Sequence, residues 1–211
     1  MITNSYYMLE DEVVKNTFSR NEILTTPGIW INGKTYWIQD SREKLIAEEG
    51  ISVHIREEAL HSKMKNLEVL VTNHNITTRK KVKLLFMHQH INALKDQFTF
   101  VSPTENVIFH LTNSCVYLVN AGSNDGVSQM TVHPYLSLYT ESIWSCMEKG
   151  SLKFQPMTKG SSISILSVDM EVSPKTTSKG YSWVISGKKK EGLIRLNRAF
   201  LKNTLAFPFE K

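Results

Sequence analysis

The feature that most constrains the fold is a succession of short apolar segments, rich in β-branched residues and separated by turn residues. Segments of this length and spacing are typical of the strands of an antiparallel sandwich or barrel. The sequence therefore predicts a mainly β protein, an antiparallel β-sandwich with short helices at its margins. The predicted strands cover residues 52–56, 67–72, 81–90, 98–101, 106–111, 115–119, 128–132, 151–155, 162–172 and 181–185.

The segment 162–172, "SISILSVDMEV", shows the alternation most clearly. Ile163 and Ile165 alternate with serines, as expected for a strand with one buried face. The polar segment 73–78 has hairpin length and lies between two strong strands, so it predicts a hairpin. Four prolines lie at the edges of the apolar segments, where a missing amide donor costs least: Pro103, Pro134, Pro156 and Pro174.

The N-terminal part has a different character. Asn32-Gly33 is a two-residue hairpin signal between Trp30 and Tyr36. Residues 41–50 predict a short helix, with Ser41 as N-cap and Gly50 as the stop, and residues 193–202 predict a second helix. No linker or repeat interrupts the chain, so we expect one domain over 1–211, with the hairpin and short helix of 1–50 packed on it.

Composition excludes several classes of protein. The chain has 211 residues and a formal charge of +5, with no run near the roughly 18 apolar residues that a membrane span needs. The first residues lack a basic stretch followed by an apolar core, so we expect a cytoplasmic protein. Cys115 and Cys146 are not in a CxxC pattern, which predicts free thiols. The basic triplets 79–81 and 188–190 fall at expected turns, so nucleic acid is not an expected partner.

Two histidines are the main candidates for chemistry. His88 and His90 lie two apart in a predicted strand and share a face with Val82, Leu84 and Phe86. A catalytic zinc would need a third ligand, for which His110, His133, Glu105 and Asp125 are candidates. The alternative is that the pair caps the strand and forms hydrogen bonds in the following loop. Because no HExxH or facial-triad pattern is present, we expect no metal and no other cofactor.

Aromatic residues indicate a binding surface. The tryptophans and tyrosines exceed what a small core requires, and flat sugar faces stack on such rings. No GxSxG elbow, Walker motif or dinucleotide fingerprint is present. The predicted ligand-binding residues are His88, His90, His110, Tyr139 and Trp144.

The central part of the sequence resembles a known family. The patterns "LEVLVTNHNITTRKKVKLLFMHQH", "VIFHLTNSCVYLVNAG", "GSLKFQP" and "ILSVDMEVSPKTTSKGYSWVISGK" resemble the β-supersandwich that forms the N-terminal domain of glucoamylase-like glycoside hydrolases and is related to galactose-mutarotase-like folds. In those hydrolases the catalytic groups lie on a separate (α/α)6 barrel, which this chain is too short to contain. The resemblance therefore implies a supersandwich without those catalytic residues.

Three functional hypotheses follow. The first is a non-catalytic module that binds a carbohydrate or related polar ligand. The second is a mutarotase-like or metal-dependent enzyme that uses His88 and His90 with His110 or His133. The third is a structural or interaction protein that offers a sheet edge or the basic residues 79–81 to a partner. Exposed sheet edges also make a homodimer a hypothesis.

Overall fold

The computed structural model describes residues 23–91, 96–123, 126–140 and 142–206, without the side chains of 59–61 and 203–206. Within these residues, fifteen strands form two large antiparallel sheets, which stack as a sandwich, and one small hairpin. The predicted fold class, a mainly β antiparallel sandwich, is confirmed. The strands are β1 Ile23–Ile31, β2 Lys34–Trp37, β3 Glu43–Ile46, β4 Ile51–His61, β5 Met64–Asn73, β6 Lys80–His90, β7 Phe98–Ser102, β8 Val107–Leu111, β9 Val116–Gly122, β10 Gln129–Pro134, β11 Trp144–Cys146, β12 Ser151–Leu152, β13 Met157–Lys159, β14 Ser162–Val172 and β15 Thr177–Gly187.

In the described ranges, three helical segments accompany the strands. A long α-helix, α1, spans Lys190–Ala206, and two short 3-10 helices span Ala47–Glu49 and Tyr135–Leu138. The predicted C-terminal helix over 193–202 is confirmed and is longer than expected. No helix among the described residues has the length and apolar character needed to cross a membrane.

The five-stranded sheet has the order β10-β14-β6-β1-β2. Its central strand β6 is buried on both faces, which explains why its sequence is apolar almost throughout. Val82, Leu84 and Phe86 point into the core between the sheets. Leu85 and Met87 point to the outer face, where the β11-β12 hairpin and the segment after β10 cover them.

The eight-stranded sheet has the order β13-β7-β8-β9-β15-β5-β4-β3. Its inner face supplies the other half of the core, including Val69, Val71 and Val119. Its outer face is covered by α1 over β9 and β15. Trp183 anchors the helix there, because its indole N–H donates to Asn197 Oδ1 at 2.8 Å and its ring packs on Phe200.

The helix predicted over 41–50 is wrong. Residues 43–46 form the edge strand β3, and only 47–49 form a 3-10 turn, which Gly50 ends with a φ of 64°. Ile46 is buried in the core while Glu43 and Leu45 are exposed. Pairing with β4 buries Ile46 on the core face of the sheet, so tertiary contact outweighs the local helical pattern.

The hairpin predicted at 73–78 is also wrong. Its flanking strands β5 and β6 belong to different sheets, so the loop crosses from one layer of the sandwich to the other. Asn73 is fully buried and stabilises this crossing, because its Nδ2 donates to Thr78 O at 2.8 Å and to Val172 O at 3.0 Å. The polar sequence of the loop correctly predicts a turn, but the strand that follows the turn lies in the other sheet.

The N-terminal hairpin at Asn32-Gly33 is confirmed, with positive φ at both turn residues. Strand β1 also pairs with β6 along most of its length. Strand β3, a few residues later, pairs with β4 of the other sheet. The segment from 23 to 46 therefore contributes strands to both layers of the sandwich.

Candidate functional site

Three of the predicted ligand-binding residues lie inside the sandwich. His88 and His90 follow Phe86 on the inner face of β6, and His110 approaches them from β8 in the opposite sheet. His88 and His110 have no exposed surface, and His90 is 5% exposed. Their polar neighbours are also buried: Gln97, Thr99, Asn120, Ser162, Ser164 and Ser182. We call this group, with the three histidines, the internal histidine cluster.

The hydrogen bonds of His88 define its tautomer. Ser182 donates its one hydroxyl proton to Asn120 O at 3.0 Å, so it accepts from His88 Nε2 at 2.8 Å. The proton of His88 is therefore on Nε2, and Nδ1 is an acceptor. Among the residues described, His88 Nδ1 has no hydrogen-bond partner. This bond joins β6 to β15 across the core.

His110 makes a second connection between the sheets. Gln97 Nε2 lies 3.3 Å from His110 Nδ1 and can only donate, so Nδ1 accepts and the proton is on Nε2. That proton is donated to Ser164 Oγ on β14, at 2.8 Å. Thr99 Oγ1 lies 3.2 Å from the same Nδ1 and 2.7 Å from Ser162 Oγ.

Burial keeps these imidazoles neutral. Loss of solvent lowers the pKa of His88 to about 3 and that of His110 to about 3, and the neighbouring His88 and His90 lower the pKa of His110 further. His90 packs edge-on against Tyr117, with ring centroids 5.7 Å apart. His88 and His110 are thus neutral donors and acceptors that connect the two sheets through the core.

The metal hypothesis finds no support in this arrangement. Within the described part of the chain, no group of three or more His, Cys, Asp or Glu side chains could hold a metal ion. Of the other proposed third ligands, Glu105 is paired with Arg198, and Asp125 lies outside the described residues. His133 lies on the outer face of β10. Its Nε2 donates to Lys153 O at 3.0 Å, and burial lowers its pKa.

The two predicted aromatic residues lie on the outside of the five-stranded sheet. Trp144 packs, half-buried, against the apolar cluster formed by Leu85, Met87 and their neighbours. Tyr139 is 72% exposed, and its hydroxyl lies 3.1 Å from that of Tyr135. The five predicted residues are therefore divided between the core and the outer face of one sheet.

An open cleft of about 630 Å³ lies beside Tyr139. Its walls come from β1, from Trp37 and the segment after it, from β6, from the segment after β10, and from β4 and β5 of the other sheet. This volume is within the roughly 300–1,000 Å³ of small-molecule sites. The lining residues are Leu24, Thr25, Thr26, Pro27, Trp37, Ile38, Gln39, Asp40, Ser41, Arg42, Ile55, Glu57, Leu67, Met87, Gln89, Tyr135, Leu138 and Tyr139.

Local structure positions the aromatic rings of the cleft. Trp37 ends β2 and lies over Gly28, where a Cβ would be 2.5 Å from the indole ring. Tyr135 and Tyr139 are one helical turn apart in and after a 3-10 helix, and their rings meet edge to face with centroids 5.8 Å apart. Gly28 therefore provides the space that places Trp37 in the wall of the cleft.

The sequence placed ligand-binding residues on β6, which does line the cleft, but it chose the face of β6 that points into the core. In "MHQH", the residues that line the cleft are Met87 and Gln89, whereas His88 and His90 point into the core. Of the five predicted residues, only Tyr139 lines the cleft. The sequence did not predict the polar residues of the lining, among them Asp40, Arg42, Glu57 and Gln89, which have no motif in common.

The fold and the cleft define a β-sandwich with an open, partly aromatic site on one edge of its smaller sheet. Comparison with known proteins adds no relative, since no protein-family model and no curated protein matches the sequence.

Proposed function

We propose that the chain is a non-catalytic β-sandwich module that binds a carbohydrate, or a related polar ligand, in the cleft beside Tyr139. The observation that carries this proposal is the presence of three aromatic rings, Trp37, Tyr135 and Tyr139, on the walls of one open cleft. Aromatic faces match the C–H faces of sugar rings, which are flat and apolar. The proposal thus keeps the ligand class expected from the sequence and moves the site out of the core.

The polar lining supports a hydroxyl-bearing ligand. Asp40 and Glu57 supply carboxylate acceptors, Arg42 supplies donors, and Gln89 supplies both. Asp40, Arg42 and Glu57 are exposed, so a ligand in the open cleft can reach them. Polar and apolar residues contribute about equally to the lining, so the cleft offers hydrogen-bond partners beside its aromatic faces.

The burial of the histidines supports this choice over an enzyme that uses them. A general acid or base must come within hydrogen-bond reach of its substrate. His88 and His110 have no exposed surface, and neither lines the cleft. We also retain a cytoplasmic location in this proposal, for which the two free cysteines are supporting observations.

A thermal-shift screen tests the proposal, with glucose, galactose, maltose and cellobiose as the first probes. A ligand at about 100 times its dissociation constant adds about 2.7 kcal/mol of stability. For a domain of this size that corresponds to a rise in Tm of about 5–10 °C. If neither these sugars nor a wider panel of mono- and oligosaccharides shifts the Tm or perturbs the NMR signals of the cleft residues, the proposal is wrong.

A further inference from the structure

The positive charge of the chain is concentrated near its C terminus. Residues 188–202 contain six of the 25 Lys and Arg residues and one of the 20 Asp and Glu residues, a net charge of +5. This equals the formal charge of the whole chain, so the other residues carry 19 basic and 19 acidic side chains. The triplet 188–190 continues directly into α1, which begins at Lys190.

The exposed side of α1 carries this charge. Arg195, Arg198 and Lys202 follow a spacing of three and four residues, so they form one stripe along the helix. Lys188 and Lys189 are exposed just before it, and Leu196 is 40% exposed beside it. We call this surface the basic helix face: Lys188, Lys189, Arg195, Leu196, Arg198 and Lys202.

The basic helix face is held in a fixed orientation. On the other side of α1, Asn197 binds the indole of Trp183 at 2.8 Å. The ammonium of Lys190 lies 4.8 Å from the ring centroid of Phe109. Arg198 donates to both carboxylate oxygens of Glu105 at 2.9 Å. A surface that is already ordered loses little conformational entropy when a partner binds.

An acidic surface lies at the end of the same sheet. Residues 40–58 contain six acidic and three basic residues. Within them, β3 pairs only with β4 among the described strands, and Leu45 on β3 is 67% exposed. Arg42 and Arg56 are exposed in this segment, and its exposed acidic residues are Asp40, Glu43, Glu48, Glu57 and Glu58. We call these acidic residues, with Leu45, the acidic edge.

We propose that the basic helix face of one copy of this chain binds the acidic edge of a second copy, head to tail. The two surfaces are complementary in charge, and each carries one exposed leucine among its charged residues, as the centre and rim of an interface do. Because two different surfaces meet, a pair of copies still has one free basic helix face and one free acidic edge, so the assembly grows rather than closing as a symmetric pair.

A second copy fits the basic helix face better than nucleic acid does. The one aromatic residue of α1, Phe200, packs on Trp183 and cannot stack on a base. The exposed Leu196 gains nothing from a phosphate backbone, but it can pack on Leu45. A second copy also supplies the complementary negative charge, because every copy carries an acidic edge.

Sedimentation and light scattering on the full chain test the proposal. At about 50 mM NaCl the average mass should rise with concentration above the 24.1 kDa of one chain, and at about 500 mM NaCl it should return to that value. Two neutralised variants separate the surfaces. One is Lys189→Gln/Arg195→Gln/Lys202→Gln, and the other is Glu43→Gln/Glu48→Gln/Glu58→Gln.

Each neutralised variant alone should remain a single chain, but a mixture of the two should form a one-to-one complex that does not grow. This outcome follows because one variant retains only the acidic edge and the other only the basic helix face. The control Lys81→Gln/Lys149→Gln/Lys153→Gln removes the same charge elsewhere and should assemble like the original chain. A constant mass at low salt, a mixture that does not pair, a control that fails to assemble, or binding of duplex DNA in place of self-association would each overturn the proposal.

Discussion

His88 on β6 donates its Nε2 proton to Ser182 on β15 over 2.8 Å, and this hydrogen bond joins the two large sheets inside the core. Both residues are buried, so neither can turn to water if the other is removed. A buried donor without an acceptor costs more free energy than the hydrogen bond itself contributes. The stability of the sandwich should therefore depend on this pair.

Replacement of Ser182 by alanine should lower the free energy of unfolding by about 1–3 kcal/mol, because it leaves the Nε2 proton of His88 without its acceptor. Urea unfolding at neutral pH measures the loss. Ser178→Ala on the same strand is a matched control, because the hydroxyl of Ser178 donates to Glu171 O at 3.3 Å at the surface. That variant should change stability by less than about 0.5 kcal/mol.

A double-mutant cycle separates the hydrogen bond from packing. His88→Leu with Ser182→Ala removes both polar partners, so the second substitution should cost less in the presence of the first than it does alone. Equal costs in both backgrounds would show that the two side chains are not coupled and would contradict a stabilising hydrogen bond between His88 and Ser182.

Acid should destabilise the fold through the histidines of the core. The folded-state pKa values of His88 and His110 are lowered to about 3, while an unfolded histidine titrates near 6.5. The unfolded state therefore binds protons first, and the stability that neutral histidines provide is complete above pH 6.5 and is lost as the pH falls towards 3. Each residue should contribute a slope of up to about 1.4 kcal/mol per pH unit in that window.

Urea unfolding between pH 7 and pH 5 measures this slope before most carboxylates titrate. Replacement of His110 by glutamine should reduce the slope of the free energy of unfolding against pH by the contribution of one histidine. Ser178→Ala is the control, because it removes no titratable group, and it should leave the slope unchanged. If the free energy of unfolding stays constant from pH 7 to pH 5, the folded protein binds protons at these histidines as readily as the unfolded chain does, and the prediction is wrong.

The strands of this fold were predictable because burial of one face leaves a period-two pattern in the sequence. The same pattern correctly placed His88 and His90 on the face of Phe86. Which strands pair was not predictable, since the polar loop at 73–78 has the same composition whether it closes a hairpin or crosses between sheets. Strand β3 was missed for a similar reason, because only its contact with β4 distinguishes it from a short helix.

The cleft was harder to predict than the fold. Asp40, Arg42 and Glu57 are exposed residues of common types, and nothing in the sequence distinguishes them from other charged residues on a solvated surface. They meet Gln89 only because β1 and β4 belong to different sheets that approach each other at this edge. A site assembled from single residues of distant segments leaves no spacing by which a motif could be recognised.

Ligand binding in the cleft should depend on Tyr139. Replacement of Tyr139 by alanine removes one aromatic face and should weaken binding of any sugar found in the screen by about 3- to 10-fold, as expected for a stacking contribution of roughly 0.5–1.5 kcal/mol. Titration calorimetry measures the change. Stability should be almost unaffected, because the side chain is 72% exposed.

Phe154→Ala is the matched control for Tyr139→Ala. Phe154 is 66% exposed and is not among the residues that line this cleft, so its removal should leave the dissociation constant unchanged. Equal effects of the two substitutions would indicate nonspecific adhesion of the sugar to exposed rings and would remove the cleft from consideration.

Gly28 should control the position of Trp37. In Gly28→Ala the new methyl group would lie 2.5 Å from the indole, so the ring must move away from β1. We expect a loss of about 1–3 kcal/mol in stability from this overpacking. The displaced ring should also weaken sugar binding, since Trp37 forms part of the cleft wall.

Gly122→Ala provides the comparison, because Gly122 also faces a tryptophan from within a strand. A methyl group there would lie 3.7 Å from the ring of Trp183, an ordinary van der Waals contact, and no ring needs to move. Chemical unfolding and calorimetry on both variants separate the two cases. Loss of stability with unchanged sugar affinity in Gly28→Ala would show that Trp37 does not touch the ligand, and the binding energy would then have to come from Tyr135, Tyr139 and the polar residues of the opposite wall.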